Sequence, residues 1–200
     1  MELYCLGDSL TFGYGVSYPQ RWIHLAAEES GWKLINMGIS GDTAGGMLAR
    51  LQTQLLPKLV QQRGGYVLLM GGCNDIFYAG SAVPARAAMG GMVHQLLTAG
   101  AYPIIGSPLP LCVEDVPQEW SCVVDFPEAA KMIADYHRWC AAFCRAFSIP
   151  FIDFYDDFLH DGTPDRTLYL DGLHPTPDGH RRIARRVSQT LKKLEECAWH

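Results

Sequence analysis

Long apolar runs are missing from this sequence. No stretch approaches the roughly 20 apolar residues that a membrane span requires, so no stable membrane association is expected. The start also lacks the features of a secretory signal: Met1-Glu2-Leu3 enters a short apolar stretch that ends at Gly7-Asp8, without a positive flank or a long apolar run. A cytoplasmic protein is the resulting expectation. Metal-binding spacings are missing as well. The seven cysteines (Cys5, Cys73, Cys112, Cys122, Cys140, Cys144 and Cys197) contain no CxxC pair. Cys140 and Cys144 share a helical face, but no Cys or His pair elsewhere completes a zinc spacing. Most of the seven read as buried apolar residues in a reducing compartment. An excess of positive charge is missing too. The net charge is −5, and phosphate binding needs a concentrated positive surface, so nucleic acid is not an expected partner. Arg181, Arg182, Arg185, Arg186, Lys192 and Lys193 read as the solvated face of a terminal helix. Repeats, linkers and low-complexity segments are absent.

What remains is an ordinary globular composition, 48% hydrophobic and 18% charged over 200 residues. That length suits a single domain over residues 1–200. Such a chain buries roughly 70% of its unfolded surface and needs no disulfide or structural metal.

Short apolar runs alternate with helical patterns. Strands are expected at residues 3–6, 33–36, 66–70, 102–106 and 151–154. Helices are expected at 20–30, at 43–62 with a break or kink at Pro57, at 82–99, from Ala129 to Phe147, and after Thr176 as cap with Pro177 at the first position. The stretch between Pro108 and Pro127 holds four prolines (108, 110, 117 and 127) and no clear period, so it reads as a long loop. The strand–helix alternation predicts an α/β fold with a parallel sheet covered on both faces. A three-layer, flavodoxin-like α/β/α sandwich with a five-stranded sheet in the order 2-1-3-4-5 is the first choice. Ligands bind such sheets beyond the carboxyl ends of the strands.

Chemistry-bearing residues stand just after the expected strands. They are Gly7-Asp8-Ser9-Leu10, then Asn36-Met37-Gly38-Ile39-Ser40-Gly41-Asp42-Thr43, then Gly71-Gly72-Cys73-Asn74-Asp75. Asp171-Gly172-Leu173-His174-Pro175 precedes the last helix. These blocks resemble the GDSL/SGNH hydrolase family, with Ser9, Gly38, Asn74 and His174 in the family's order. A GDSL tetrapeptide alone occurs by chance in roughly one chain in a few hundred; four ordered blocks at strand ends do not.

The resemblance implies a serine esterase acting through Ser9, His174 and Asp171, with no cofactor and no metal. Ser9 is the nucleophile, which needs a base within hydrogen-bond reach. His174 is that base, and Asp171 fixes its tautomer. Side chains three apart on a tight turn face the same way, which suits the pair. The backbone N–H groups of Ser9 and Gly38 and the amide of Asn74 are the implied oxyanion donors. The implied partner is a small-molecule ester, within a range spanning simple esters, lysophospholipids, thioesters and acetylated sugars. The oligomeric state is left open.

Other residues have plainer readings. Asp8 reads as a loop anchor bonding backbone amides beside the substrate. Asp42 reads as part of the N-cap of the second helix, and Asp75 as ordering the Asn74 loop. Phe12, Tyr14 and Trp120 are expected to line the cleft. Leu109, Leu111 and Glu119 belong to a loop that forms one wall. Cys73 is expected to pack near the oxyanion donors, and His180 to be peripheral. His24, His94, His137, His160 and His200 have no matching context. Two alternatives use the same residues. One is a metal-dependent phosphoesterase with Asp8, Asp42, Asn74, Asp75 and His174 as ligands. The other is a catalytically silent binding domain.

Overall fold

A computed structural model describes residues 1–198; His200 lies outside them, as does the side chain of Cys197. Five parallel strands form one sheet in the order β2-β1-β3-β4-β5. They are β1 (Glu2–Gly7), β2 (Lys33–Gly38), β3 (Tyr66–Met70), β4 (Tyr102–Gly106) and β5 (Phe151–Ile152). The helices are α1 (Ser9–Phe12), α2 (Trp22–Ser30), α3 (Ala44–Arg50), α4 (Leu56–Gln62), α5 (Cys73–Ala79), α6 (Val83–Thr98), α7 (Phe126–Phe147) and α8 (Pro177–Ala198).

The sheet divides the core because successive side chains on a strand point to opposite faces. Tyr4, Leu6, Val67, Leu69 and Ile105 face a layer built from α3 to α7, with Met47, Met89, Met92, Ile133 and Tyr136 buried against them. Leu3, Cys5, Leu68, Met70 and Ile104 face α2 and α8, against Trp22, Ile23, Ala26, Ile183, Val187 and Leu191. Both faces are covered, so the inner strands read as continuous apolar runs.

The break expected at Pro57, which has no N–H to continue the α-helical ladder, is present: a turn of π-helix at Leu51–Leu55 joins α3 to α4 just before it. Other local expectations are corrected. The proline-rich stretch is not structureless. It carries 3₁₀ turns at Val113–Asp115 and Gln118–Cys122, and α7 begins at Phe126 with Pro127 in its first turn. Leu109 and Leu111 are core residues rather than pocket wall. β5 is shorter than expected, and a small antiparallel pair, β6 (Leu159–His160) and β7 (Thr163–Pro164), follows it. The cysteine expectation holds: of the six described, Cys122 alone is exposed and the others are buried.

Candidate active site

β1 sits between β2 and β3, where the chain reverses its direction across the sheet. That switch point opens a crevice at the carboxyl ends of the strands. β1 ends there at Gly7, and Asp8 turns the chain into α1. The Asp8 carboxylate caps this helix by accepting from the Leu10 N–H at 3.0 Å. Asp8 is therefore the anchor the sequence suggests. Burial pushes its pKa up from 3.8 to about 7, against the bond from Leu10 and the nearby imidazole of His174, which lower it.

Ser9 occupies the first position of α1. Its Oγ lies 3.0 Å from His174 Nε2. On the far side of the imidazole, His174 Nδ1 lies 2.8 Å from Asp171 Oδ2. An ionised carboxylate only accepts, so Nδ1 carries the proton and Nε2 is the acceptor for the Ser9 hydroxyl. The acid is held in turn. Asp171 Oδ1 accepts from the backbone N–H of His174 at 2.7 Å and of Leu173 at 3.1 Å. Burial raises the Asp171 pKa, but the bonds from His174 outweigh it and keep the carboxyl below its ordinary value.

The Asp171–His174 turn is fixed from two sides. The His174 carbonyl accepts from the Leu170 N–H at 2.8 Å, and Gly172 O accepts from Cys112 N–H at 2.9 Å. Gly172 has φ +76, and a Cβ there would stand 2.3 Å from Cys112 O. Only glycine meets both demands. The proline-rich segment thus braces the acid–base turn rather than lying free beside it.

The expected oxyanion donors divide. Ser9 N–H stands in the first turn of α1, where backbone donors have no intrahelical acceptor. Asn74 Nδ2 spends one N–H on the Asp42 carbonyl at 2.8 Å and keeps a second. Gly38 is different, and the expectation for it is corrected. Its N–H already donates to Asn36 Oδ1 at 2.9 Å. It is a glycine for a packing reason: a Cβ would fall 2.1 Å from the Phe12 N, so α1 could not lie against β2. The following loop holds a second glycine, Gly41, with φ +80. Among the described residues its N–H has no hydrogen-bond acceptor, and its neighbour Asp42 is the residue Asn74 binds. The sequence displayed both glycines; only the hydrogen bond from Gly38 to Asn36 separates them.

Asp42 is not the helix cap. Thr43 fills that place, accepting from Gly46 N–H at 3.1 Å. Asp42 instead pairs with Arg50, whose Nε lies 2.9 Å from Oδ2. Arg50 also donates to Met37 O at 2.6 Å and Gly7 O at 2.9 Å, stapling the ends of β1 and β2. No motif pointed to this arginine. Asp75 accepts from Ala44 N–H at 2.8 Å and so ties α5 to the start of α3. Cys73 opens α5 and is buried, and that burial drives its thiol pKa well up, so it stays neutral.

Tyr14 lies with its ring 4.4 Å from the His174 imidazole. Phe12 is half-exposed under the guanidinium of Arg21, 4.4 Å away. Trp120 is half-buried on the larger apolar core, on which Val116 and Val124 also pack. Tyr78, one turn after Asn74 on α5, is exposed; its hydroxyl is 3.6 Å from the place of a Cβ on Gly41. Helical spacing from Asn74 was the one available signal for it. His180 takes no part in the relay, as expected, yet it is no surface residue: it is fully buried, and its Nδ1 accepts from Trp22 N–H at 3.3 Å. Burial, helped by the positive charge of Arg21, lowers its pKa from 6.5 to about 4.

The phosphoesterase ligand set does not assemble. Asp42 is paired with Arg50, Asp75 with a backbone amide and His174 with Ser9 and Asp171. Among the described residues, the side chains close enough to share an ion are His137, Asp153 and Asp156.

Comparison with known proteins supplies an independent line. The profile of the GDSL-like Lipase/Acylhydrolase family matches residues 5–182. Esterase TesA of Pseudomonas aeruginosa is 25% identical over 198 residues, which cover 96% of this chain and 88% of that protein. An arylesterase of Vibrio mimicus is 29% identical over 199 residues, with the same 96% and 88% coverage. The structure of the native aryl esterase of M. smegmatis matches with a TM-score of 0.79 at 20% identity, covering 96% of this chain and 99% of that one. At that identity the likeness is one of fold.

Proposed function

The chain belongs to the GDSL-like lipase/acylhydrolase family, and we propose that it hydrolyses carboxylic esters of small or medium-sized substrates through an acyl-enzyme on Ser9. The observation that carries this is the unbroken relay from Asp171 through His174 to Ser9, at 2.8 and 3.0 Å. In the first half-reaction Ser9 Oγ attacks the ester carbonyl carbon and its proton passes to His174 Nε2. Asp171 stabilises the imidazolium. The tetrahedral adduct collapses, His174 gives the proton to the leaving alcohol, and the acyl group stays on Ser9. Water then attacks the acyl carbon, again losing its proton to His174. Collapse returns that proton to Ser9 Oγ and frees the acid.

The oxyanion is received by the N–H groups of Ser9 and Gly41 and by the second amide N–H of Asn74. Gly41 takes the place first expected of Gly38. Asp8, Phe12, Tyr14 and Cys73 border this centre. Trp120 belongs to the segment that braces it, so its part in binding substrate is the more remote one. Residues 1–200 act as one hydrolase domain; Ser9 follows the first strand of the main sheet and His174 stands in the turn before α8, so the relay joins the two ends of the chain, which supports that reading.

Among the described residues no helix is long and apolar enough to cross a membrane. The six described cysteines are all unpaired thiols, which supports a reducing, cytoplasmic compartment.

Hydrolysis of p-nitrophenyl esters by wild type, Ser9→Ala, His174→Ala and Asp171→Ala tests the proposal. Wild type is expected to hydrolyse acetate or butyrate esters with or without EDTA. The three variants are expected to fall by about 10³-fold or more in kcat while remaining folded. Full activity in Ser9→Ala, or loss of wild-type activity in EDTA, would overturn it.

A further inference from the structure

His174 is only 7% exposed although the residues around the crevice mouth, Phe12 and Tyr14, are open to solvent. The Tyr14 ring lies against it, its centroid 4.4 Å from that of the imidazole and its plane tilted by 40°. Tyr14 is itself 47% exposed, so one ring face meets the base while much of the rest meets water. The same residue is tied to the nucleophile. The Ser9 carbonyl accepts from the Gly13 N–H at 3.0 Å and from the Tyr14 N–H at 3.1 Å. Tyr14 therefore joins the backbone of one member of the relay to the ring of another.

The loop that carries it is packed in place. A Cβ on Gly15 would lie 2.6 Å from Leu170 Cδ1, so the bare backbone at 15 lets the loop close on the turn that holds His174. Leu170 reaches that turn directly, its N–H donating to the His174 carbonyl at 2.8 Å. Loop 13–15 and turn 170–174 thus form one packed unit across the crevice.

We propose that Tyr14 is a positioning residue for His174, holding the imidazole toward Ser9 and favouring its protonated form as the ester is attacked. The inference rests on Ser9 and His174 as nucleophile and base. Two physical effects support it. An aromatic side chain against an imidazole restricts the ring rotations that would carry Nε2 away from Oγ, and orientation of this kind is reflected directly in rate. An aromatic π-face also attracts a cation, and the imidazolium exists only once the Ser9 proton has moved. The contact therefore strengthens between ground state and transition state, which is the condition for raising kcat. The ring supplies both effects; the hydroxyl supplies neither.

The other titratable groups around His174 are Asp171 on its own turn, Asp8 at the start of α1 and His180 on α8. None of the three is altered in sequence when Tyr14 is changed, so the comparison of variants addresses the ring. The test is steady-state hydrolysis of p-nitrophenyl acetate from pH 5 to 9 by wild type, Tyr14→Phe and Tyr14→Leu, with thermal unfolding of each. Tyr14→Leu is expected to lose about tenfold in kcat, within the few-fold to 30-fold range of a partly desolvated cation–π contact, with KM changed less than about twofold. Tyr14→Phe is expected within about twofold of wild type. Unchanged kcat in Tyr14→Leu would overturn the inference, as would a loss confined to KM or one equally large in Tyr14→Phe. An inactive wild type would instead remove the ester-hydrolase reading beneath it. If Tyr14→Leu does not fold, Tyr14→Met serves in its place with the same expected outcomes.

Discussion

Asn74 and Gly41, the proposed oxyanion donors, are of different kinds, and their loss should differ in effect. Asn74→Ala removes an amide N–H without touching the backbone. It should lower kcat by about 100- to 1000-fold and leave KM nearly unchanged. Gly41→Ala adds a side chain at φ +80, a conformation that costs roughly 1–2 kcal/mol for an ordinary residue. Its kcat should also fall, because the loop must shift to relieve that strain; a folded Gly41→Ala enzyme with wild-type kcat would remove Gly41 from the donor set. Gly38→Ala should act on stability first, since its Cβ would collide with the Phe12 backbone; overpacking of this kind costs about 1–3 kcal/mol, occasionally more.

Two buried titratable groups act on stability with opposite signs. His180 has a folded pKa of about 4 against an ordinary 6.5. Between those values the unfolded chain binds the extra proton, so this group makes stability rise with pH across that window. Asp8 has a folded pKa of about 7 against 3.8. There the folded state binds the extra proton, so stability falls as pH rises from about 4 to 7. His180→Asn keeps an acceptor for the Trp22 N–H but cannot titrate. Its melting temperature relative to wild type should improve steadily as pH is lowered from 7 toward 4.5. Asp8→Asn should gain relative to wild type in the other direction, as pH is raised. Thermal unfolding across pH reads both, and a pH-independent difference in either variant would show that the side chain does not titrate as described.

At the scale of elements, the ends of β1 and β2 are held by a group that no motif announces. Arg50 reaches from the last residue of α3 to Gly7 O, Met37 O and Asp42. Arg50 and Asp42 are largely buried, so replacing Arg50 by Met leaves an uncompensated carboxylate. That should cost about 3–5 kcal/mol, read as a lower denaturant midpoint at constant slope. A cost below about 1 kcal/mol would mean the staple is ornamental to the fold. The elements themselves were unevenly legible. β3, β4 and α8 carry clean apolar runs or a helical stripe, and they appear where the residues predict them. The 3₁₀ turns within residues 113–122 have no such period, because their order comes from tertiary contacts: Val113, Val116 and Trp120 pack on the larger core, Asp115 pairs with Arg166, and the preceding Cys112 bonds Gly172 O. β5 is short because its pairing with β4 ends after Gly106–Ile152, which apolar content through Phe154 conceals.

At the scale of the molecule, the sheet order and both covered faces follow from strand–helix alternation and right-handed crossovers. Those rules bring the segments after β1, β2 and β3 to one edge before any side chain is considered. This is why Ser9 and Asn74 were legible as neighbours; His174, in the turn before α8, was legible from its spacing after Asp171. What was not legible is which backbone N–H faces inward and which polar residue is buried. Gly38 and Gly41 differ by the reach of one Asn36 side chain. His180 differs from a surface helix residue only by the presence of α2 beside α8. Those are tertiary facts, and single-sequence periodicity does not carry them.

Ser9 is proposed as an activated nucleophile. Intact-mass analysis of wild type and Ser9→Ala after treatment with a fluorophosphonate tests it most directly, because the reagent forms a stable phosphonyl bond to such a serine with loss of fluoride. One adduct per chain on wild type, absent from folded Ser9→Ala, is the predicted result. An unmodified wild type, or an adduct that persists in Ser9→Ala, would contradict the account.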